Sequence, residues 1–241
     1  LMSFNETSLE QNSYRKQINS VYGAVNVGWK HLVYLDATLR GDQSSTLPIG
    51  NNVYVYPSFS GSFVFSELLK QSDLMPYGKF RLSWAQVGSD TDPYQLGLVY
   101  SKSKFTYPGY TIGYINNSTM PNKNLKPTKT NSFELGLEMK FLKNRIGLDF
   151  TYYTQNSKNQ IMGMASSWTS GYNYRLINAG EIENKGIEIA LNTRPIELKD
   201  FSWDLNLNFS KNSNKVKKLV DGMDMFELEK AAWLDVQVAA K

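Results

Sequence analysis

The stretch Asn131–Phe141, NSFELGLEMKF, decides the fold class. Phe133, Leu135, Leu137, Met139 and Phe141 occupy every second position, with Ser132, Glu134, Gly136, Glu138 and Lys140 between them. A helix would scatter these apolar side chains around its circumference, whereas a strand puts them all on one face. The pattern resumes at once: Ile146, Leu148, Phe150 and Tyr152 alternate with Gly147, Asp149 and Thr151. Only Leu142–Arg145 intervenes, which predicts a hairpin.

The same period runs outward in both directions. Towards the C-terminus, Ile187, Ile189 and Leu191 alternate with Glu188, Ala190 and Asn192, and Trp203, Leu205, Leu207 and Phe209 with Asp204, Asn206, Asn208 and Ser210. Towards the N-terminus lie Val21–Trp29, Leu35–Arg40, Pro57–Phe65 and Phe80–Trp84. The reading is all-β, with about eight strands and no segment of helical period. Connections alternate in length as well. Lys30–Leu32, Leu142–Arg145, Arg194–Asp200 and the longer Ser66–Gly78 form one set. Gly41–Val55, Gly88–Thr130, Ser157–Ile177 and a segment from Asn214 onward form the other, expected to be long loops. Short turns at one end and long loops at the other is the outer-membrane arrangement, with the long loops outside the cell.

Composition agrees. The 241 residues carry a net charge of +4, no cysteine and 13% aromatic residues. No apolar run reaches the length of a membrane helix, but a barrel strand exposes only alternate residues to lipid and keeps its mean hydropathy low. Without cysteine there are no disulfides, thiolate metal sites or cysteine nucleophiles. The basic residues are scattered, which argues against nucleic acid. A soluble β-sandwich is the competing architecture. Two aromatic groupings favour a bilayer: Trp29, Tyr34, Phe141, Phe201 and Trp203 near the short turns, and Tyr54, Tyr56, Tyr152 and Tyr153 near the long loops. Eight strands can close alone. Leu1–Glu10, however, lacks a signal-peptide core and Asp235–Lys241 lacks a closing amphipathic strand, so a slice of something longer is expected.

Five blocks carry a resemblance: YLDATLRGDQSSTLP (Tyr34–Pro48), YPSFSGSFVFSEL (Tyr56–Leu68), KFRLSWAQVGSDTDPY (Lys79–Tyr94), LKPTKTNSFE (Leu125–Glu134) and NAGEIENKGIE (Asn178–Glu188). In this order they are similar to signature segments of the SusC/RagA family of TonB-dependent outer-membrane transporters of the Bacteroidetes. The resemblance implies a 22-stranded barrel around an N-terminal plug, a SusD-like surface lipoprotein as lid, and energy supplied through TonB. Residues 1–241 are then expected to be part of the transmembrane barrel domain, from its interior towards its C-terminal part, with the plug domain and TonB box absent from this chain. The implied cargo is an oligosaccharide or a peptide.

His31, the only histidine, lies in an expected turn with no nucleophile motif or partner ligands nearby, so neither catalysis nor a metal is assigned to it. Asp90 and Asp92 alternate like Ca²⁺ ligands but lack the glycine and distal glutamate of an EF-hand, and a turn role is preferred. Glu134, Glu138, Asp149, Glu188 and Asp204 are expected to face inward without the pairing that glycoside hydrolysis needs. No catalytic residue and no cofactor are expected. Loop aromatics remain as candidates for stacking on substrate or docking a lid: Trp168, Tyr172, Tyr174, Tyr107 and Tyr110. Three functions compete: a TonB-dependent importer component, a small adhesion barrel or soluble binding module without a transport role, and an outer-membrane hydrolase.

Overall fold

The computed structural model describes residues 13–69, 73–98, 100–103, 108–115, 118–219, 225–231 and 234–239. Eight long strands form one antiparallel sheet in chain order: β1 (Ile18–Trp29), β2 (Val33–Ser44), β3 (Val53–Phe63), β4 (Tyr77–Ser89), β8 (Thr128–Phe141), β9 (Ile146–Ala165), β10 (Tyr174–Glu197) and β11 (Ser202–Lys218). Three short strands, β5 (Tyr100–Lys102), β6 (Gly113–Ile115) and β7 (Thr119–Met120), lie in the loop between β4 and β8. β12 (Met225–Ala231) and β13 (Leu234–Ala239) pair with each other. Among the described residues the only helical segments are two short 3-10 turns, Phe65–Leu68 and Trp168–Ser170.

The tight turns show how the hairpins close. Lys30 and His31 both take positive φ, 49° and 55°, and Leu32 N donates to Trp29 O at 2.9 Å. That is the mirror-image turn whose twist matches the flanking strands. Leu142, Lys143 and Asn144 take three successive left-handed conformations between β8 and β9.

Three loop expectations need correction. The strands climb further than their alternation reveals, so Gly41–Val55 shrinks to residues 45–52 and Ser157–Ile177 to residues 166–173. The segment from Asn214 begins as strand, since β11 runs to Lys218. The reason is that above the lipid both faces of a strand meet water, and the apolar alternation that marks it in sequence disappears.

The register divides the sheet into two faces. One carries Val21, Val25, Leu35, Phe59, Leu82, Phe133, Phe150, Ile189 and Phe209, matched row by row across neighbouring strands. No second layer covers it among the described residues: Val21, Val25 and Leu35 are 80, 62 and 56% exposed. A sandwich would bury this face against another sheet. A membrane barrel turns it to lipid. The opposite face carries Asp36, Ser58, Ser60, Arg81, Glu138, Asp149 and Asn208, tied by polar contacts. Arg81 Nη2 donates to both Asp149 oxygens at 2.8 and 3.1 Å, Ser60 donates to Asp36 at 3.1 Å, and Thr38 meets Ser58 at 2.6 Å.

The upper limit of the lipid face is legible strand by strand. Climbing each strand from the middle of this face, the first polar outward residue is Asn19 on β1, Gln43 on β2, Gln86 on β4, Asn131 on β8, Thr154 on β9, Lys185 on β10 and Lys211 on β11; β3 stays apolar through Val53. This limit is oblique to the ladder. From Lys211 the pairing runs through Ile187, Tyr152, Leu135, Leu82, Gly61 and Leu35 to Val27, eight residues below Asn19 on the same strand. Eight residues at ~3.3 Å against seven strand gaps at ~4.8 Å give a tilt of about 38°, inside the range that barrel closure demands.

The aromatic groupings are also refined. Phe59, Trp84, Phe133, Tyr152 and Phe209 form the upper outward belt, with Phe59 and Trp84 stacked at 6.0 Å. Tyr54, Tyr56 and Tyr153, expected there, share the register of the inward residues, and Tyr34 at the turn end does likewise.

Leu135→Arg puts a cation on the lipid face near its middle. In the full-length protein it is expected to cost ~2–4 kcal/mol in reversible urea unfolding from lipid vesicles. The inward neighbour Glu134→Gln should stay within about 0.5 kcal/mol. Equal effects would show that the two faces are assigned wrongly.

Candidate functional site

Above the lipid limit the loops are fastened to one another. Leu47 from the β2–β3 loop, Leu125 from the β4–β8 loop and Leu176 from β10 form a small buried cluster, with Tyr54, Leu96 and Ile161 packed on it. Leu125 is fully buried. Each residue alone is an ordinary loop or strand-end leucine, but together they give the crown an apolar core.

Polar clamps flank this core. The Asp90 carboxylate, at the start of the β4–β8 loop, accepts from Lys16 at 2.6 Å, from Thr46 at 3.1 Å and from Ser44. Burial alone pushes the Asp90 carboxyl up; the bonds from Lys16, Ser44 and Thr46 outweigh it and hold the group below its ordinary value. An ammonium already on this carboxylate favours the structural reading of GSDTDPY over a cation loop. On the far side, the Asn178 amide accepts from Lys126 N at 2.7 Å and donates to Lys126 O at 2.7 Å and Asn159 O at 3.0 Å. It imitates a strand edge and stitches the end of the long loop to the β9–β10 hairpin.

That hairpin bends where Asn159 and Gly180, both with positive φ, drop out of the ladder. Lower down, Gly186 lies under the Tyr153 ring: a Cβ there would come within 2.6 Å of Lys211 O and 2.7 Å of Tyr153 Oη. Beyond the bend the hairpin carries three of the candidate aromatics. Trp168 opens the 3-10 turn, Tyr172 follows it half-buried, and Tyr174 starts β10. β7 runs parallel to β10 at this point, and Ser118 O accepts from Asn173 N and Tyr174 N at 2.9 and 3.0 Å. The long loop is therefore zipped onto the hairpin beside Tyr174, which is 48% exposed.

Tyr110 sits apart, exposed after Gly109 in the loop that carries the β5–β6 pair. Tyr107 lies outside the described residues. The structure thus gathers Trp168, Tyr172 and Tyr174 on one tip. His31 takes its turn position. Of the inward carboxylates, Asp149 and Glu138 share Arg81, and Asp204 pairs with Arg194 at 2.7 Å.

Sequence reasoning missed an inward set level with the upper lipid limit, in which Arg40 donates to Asp42 at 2.8 Å, Tyr56 donates to Asp42, and Tyr54 stacks on Tyr56 at 5.9 Å. The available signal was parity, since Tyr54 and Tyr56 keep step with Ser58, Ser60 and Ser62.

An oblique lipid face, a polar inner face and a crown of fastened loops define the wall of a bacterial outer-membrane β-barrel. The chain belongs to the TonB dependent receptor-like, beta-barrel family, whose model matches residues 2–224. It is 30% identical to TonB-dependent receptor P3 of Formosa agariphila over 91% of this chain and 22% of that protein. It is 29% identical to TonB-dependent receptor SusC of Bacteroides thetaiotaomicron over 89% of this chain and 22% of that protein. The sheet superimposes on a structure of the RagAB peptide transporter with a TM-score of 0.85 and 22% identity, over 94% of this chain and 25% of that one. The siderophore receptor PirA from Pseudomonas aeruginosa shares the fold more distantly, with a TM-score of 0.56 and 23% identity over 83% of this chain and 35% of that one. The SusC- and RagA-like character expected from the five blocks is therefore present, and the protein is an outer-membrane protein. The chain spans about a fifth of the length of the receptors P3 and SusC.

Two outcomes test the crown. Leu125→Ala in the full-length protein is expected to lower the free energy of local opening by ~2–5 kcal/mol, read as lost hydrogen-exchange protection in β7 and around Leu47. Unchanged protection would remove the cluster's role. The Asp90 clamp has a depressed carboxyl, so its stabilisation is complete above the unfolded value near 3.8 and fades as pH falls below it. Protection at Ser44–Thr46 should drop between pH 5 and about pH 3 in the native protein and be low at both in Asp90→Ala.

Proposed function

We propose that the whole protein imports a nutrient across the outer membrane in a TonB-dependent manner, as the barrel partner of a SusD-like lipoprotein. The residues 1–241 would serve as one sector of the transmembrane barrel domain, with the plug and TonB box supplied by other parts of the polypeptide. The cargo class is an oligosaccharide or a peptide. The relatives named SusC and RagAB support this reading, and RagAB is described as a peptide transporter.

The observation that carries it is the fastened tip bearing Tyr172 and Tyr174. Flat rings held on a rigid platform suit stacking on a sugar face or gripping an extended peptide, and rigidity lowers the ordering cost of capture. In this reading Trp168, Tyr172 and Tyr174 contact cargo or lid, with Tyr110 and Tyr107 joining from the long loop. Import of this kind breaks no covalent bond, so the inner face needs charges for solvation and plug contact alone.

The test compares uptake of labelled oligosaccharides and labelled peptides by cells with and without TonB. One of the two cargo classes should accumulate only with TonB. The double variant Tyr172→Ala, Tyr174→Ala should reduce that uptake roughly tenfold at unchanged outer-membrane abundance. TonB-independent accumulation would refute the transport reading, and full uptake by the double variant would refute the site.

A further inference from the structure

Below the set at Asp42 the inner wall of β1–β3 changes character. One ladder row carries Tyr22, Arg40 and Tyr56, all inward. The next two rows carry short side chains: Ala24, Thr38 and Ser58, then Asn26, Asp36 and Ser60. β4 continues them with Ala85 and Ser83. The row after that is bulky again, with Tyr34 on β2 and Arg81 on β4. Short side chains between two rims of long ones leave a recess in the wall. Six residue steps from Arg40 to Tyr34 at ~3.3 Å separate the rims by ~20 Å, and three strand gaps at ~4.8 Å make the floor ~14 Å wide. Tyr22 and Arg40 lie three residues below Asn19 and Gln43, so the recess sits inside the lumen and apart from the crown.

The floor has hydrogen-bonding capacity left over. The Asp36 carboxylate accepts from Asn26 through one oxygen and from Ser60, at 3.1 Å, through the other, and each oxygen has a second acceptor position. Thr38 and Ser58 share one bond at 2.6 Å, which uses one hydroxyl proton and leaves the other. On the upper rim Arg40 donates through Nε to Asp42 at 2.8 Å and through Nη2 to Ser20 at 3.1 Å. Neither bond uses Nη1. Tyr56 already stacks on Tyr54 and carries the Arg40 guanidinium at 5.9 Å from its centre. Tyr22 has no ring or hydrogen-bond partner among the described residues and is 77% exposed.

We infer that this recess is a saccharide subsite inside the barrel, in which Tyr22 stacks on the apolar face of a pyranose while Arg40 Nη1, Asp36 and the Thr38–Ser58 pair bond its hydroxyls. The inference rests on the import reading and adds to it a cargo class and a second point of contact below the crown. The chemistry selects sugar over peptide. A sugar hydroxyl both donates and accepts, as the floor does, whereas an extended peptide is held by unpaired strand edges and apolar side-chain pockets. Here the strand edges are taken: β2 pairs with β1 from Val33 to Ser44 and with β3 from Val33 to Gln43. The apolar side chains of these strands point to lipid. An anionic cargo gains little, because Asp42 neutralises Arg40 and Asp149 neutralises Arg81.

The test uses cells that express the full-length protein, with and without TonB, supplied with labelled neutral hexose oligosaccharides or with labelled peptides. TonB-dependent accumulation of the oligosaccharides is expected. Tyr22→Ala should lower their uptake at limiting concentration about tenfold, through KM, with the maximal rate and the outer-membrane abundance retained. Tyr22→Phe should keep full uptake. Ala24→Trp fills the recess from an exposed position and should act like Tyr22→Ala, whereas Asn208→Trp, equally bulky on the inner face of β11, should leave uptake unchanged. TonB-dependent uptake of peptides alone would overturn this inference and leave the import reading standing, and TonB-independent uptake of both cargoes would overturn both. Unchanged oligosaccharide uptake in Tyr22→Ala or Ala24→Trp, a loss confined to the maximal rate, or an equal loss in Asn208→Trp would overturn the subsite alone.

Discussion

A strand inside hydrocarbon must satisfy every backbone N–H and C=O sideways, because no water is available and each orphan costs several kcal/mol. The rest of this structure follows from that requirement. It forces an unbroken ladder from β1 to β11. The ladder fixes the register, and the register decides which side chains meet lipid. Among the described residues β1 and β11 are the edges of that sheet. A slipped register would turn Leu135 inward and Glu134 into lipid, so the apolar pattern and the ladder enforce each other.

The same requirement explains the stagger. Strands that stood upright would put the lipid limit along a single ladder row. Here it crosses eight residue positions between β1 and β11, so the chain writes its own tilt into the places where apolar outward residues give way to Asn19, Gln43, Gln86, Asn131, Thr154, Lys185 and Lys211. Side-chain chemistry and barrel geometry are two readings of one quantity.

Alternation made the membrane part legible, because period two is forced wherever one face is lipid. Phe133–Phe141 and Trp203–Phe209 needed nothing else. Above the lipid the rule lapses, and β9 and β10 continue as strands whose polar residues look like loop. Parity, and not aromatic character, puts Tyr54 and Tyr56 on the inward face with Asp42 and Arg40. The crown was illegible for another reason: Asp90 with Ser44 and Lys126 with Asn178 join residues 46 and 52 positions apart, and no local pattern records such pairs.

The crown and the wall are stabilised by different physics, and this separation bears on function. The wall is held by hydrogen-bonded ladders in a medium that punishes any defect, so its lipid-facing residues have little freedom to change. The crown has its own apolar core at Leu47, Leu125 and Leu176 and its own clamps at Asp90 and Asn178. Tyr174 is 48% exposed and Tyr172 half-buried, both outside the leucine cluster, and the Tyr174 backbone is held through Ser118 O, so its ring does not have to pack for the tip to stay in place. Under the proposed function, residues at such a tip can vary with the cargo while the ladder beneath them, fixed by the membrane, stays constant.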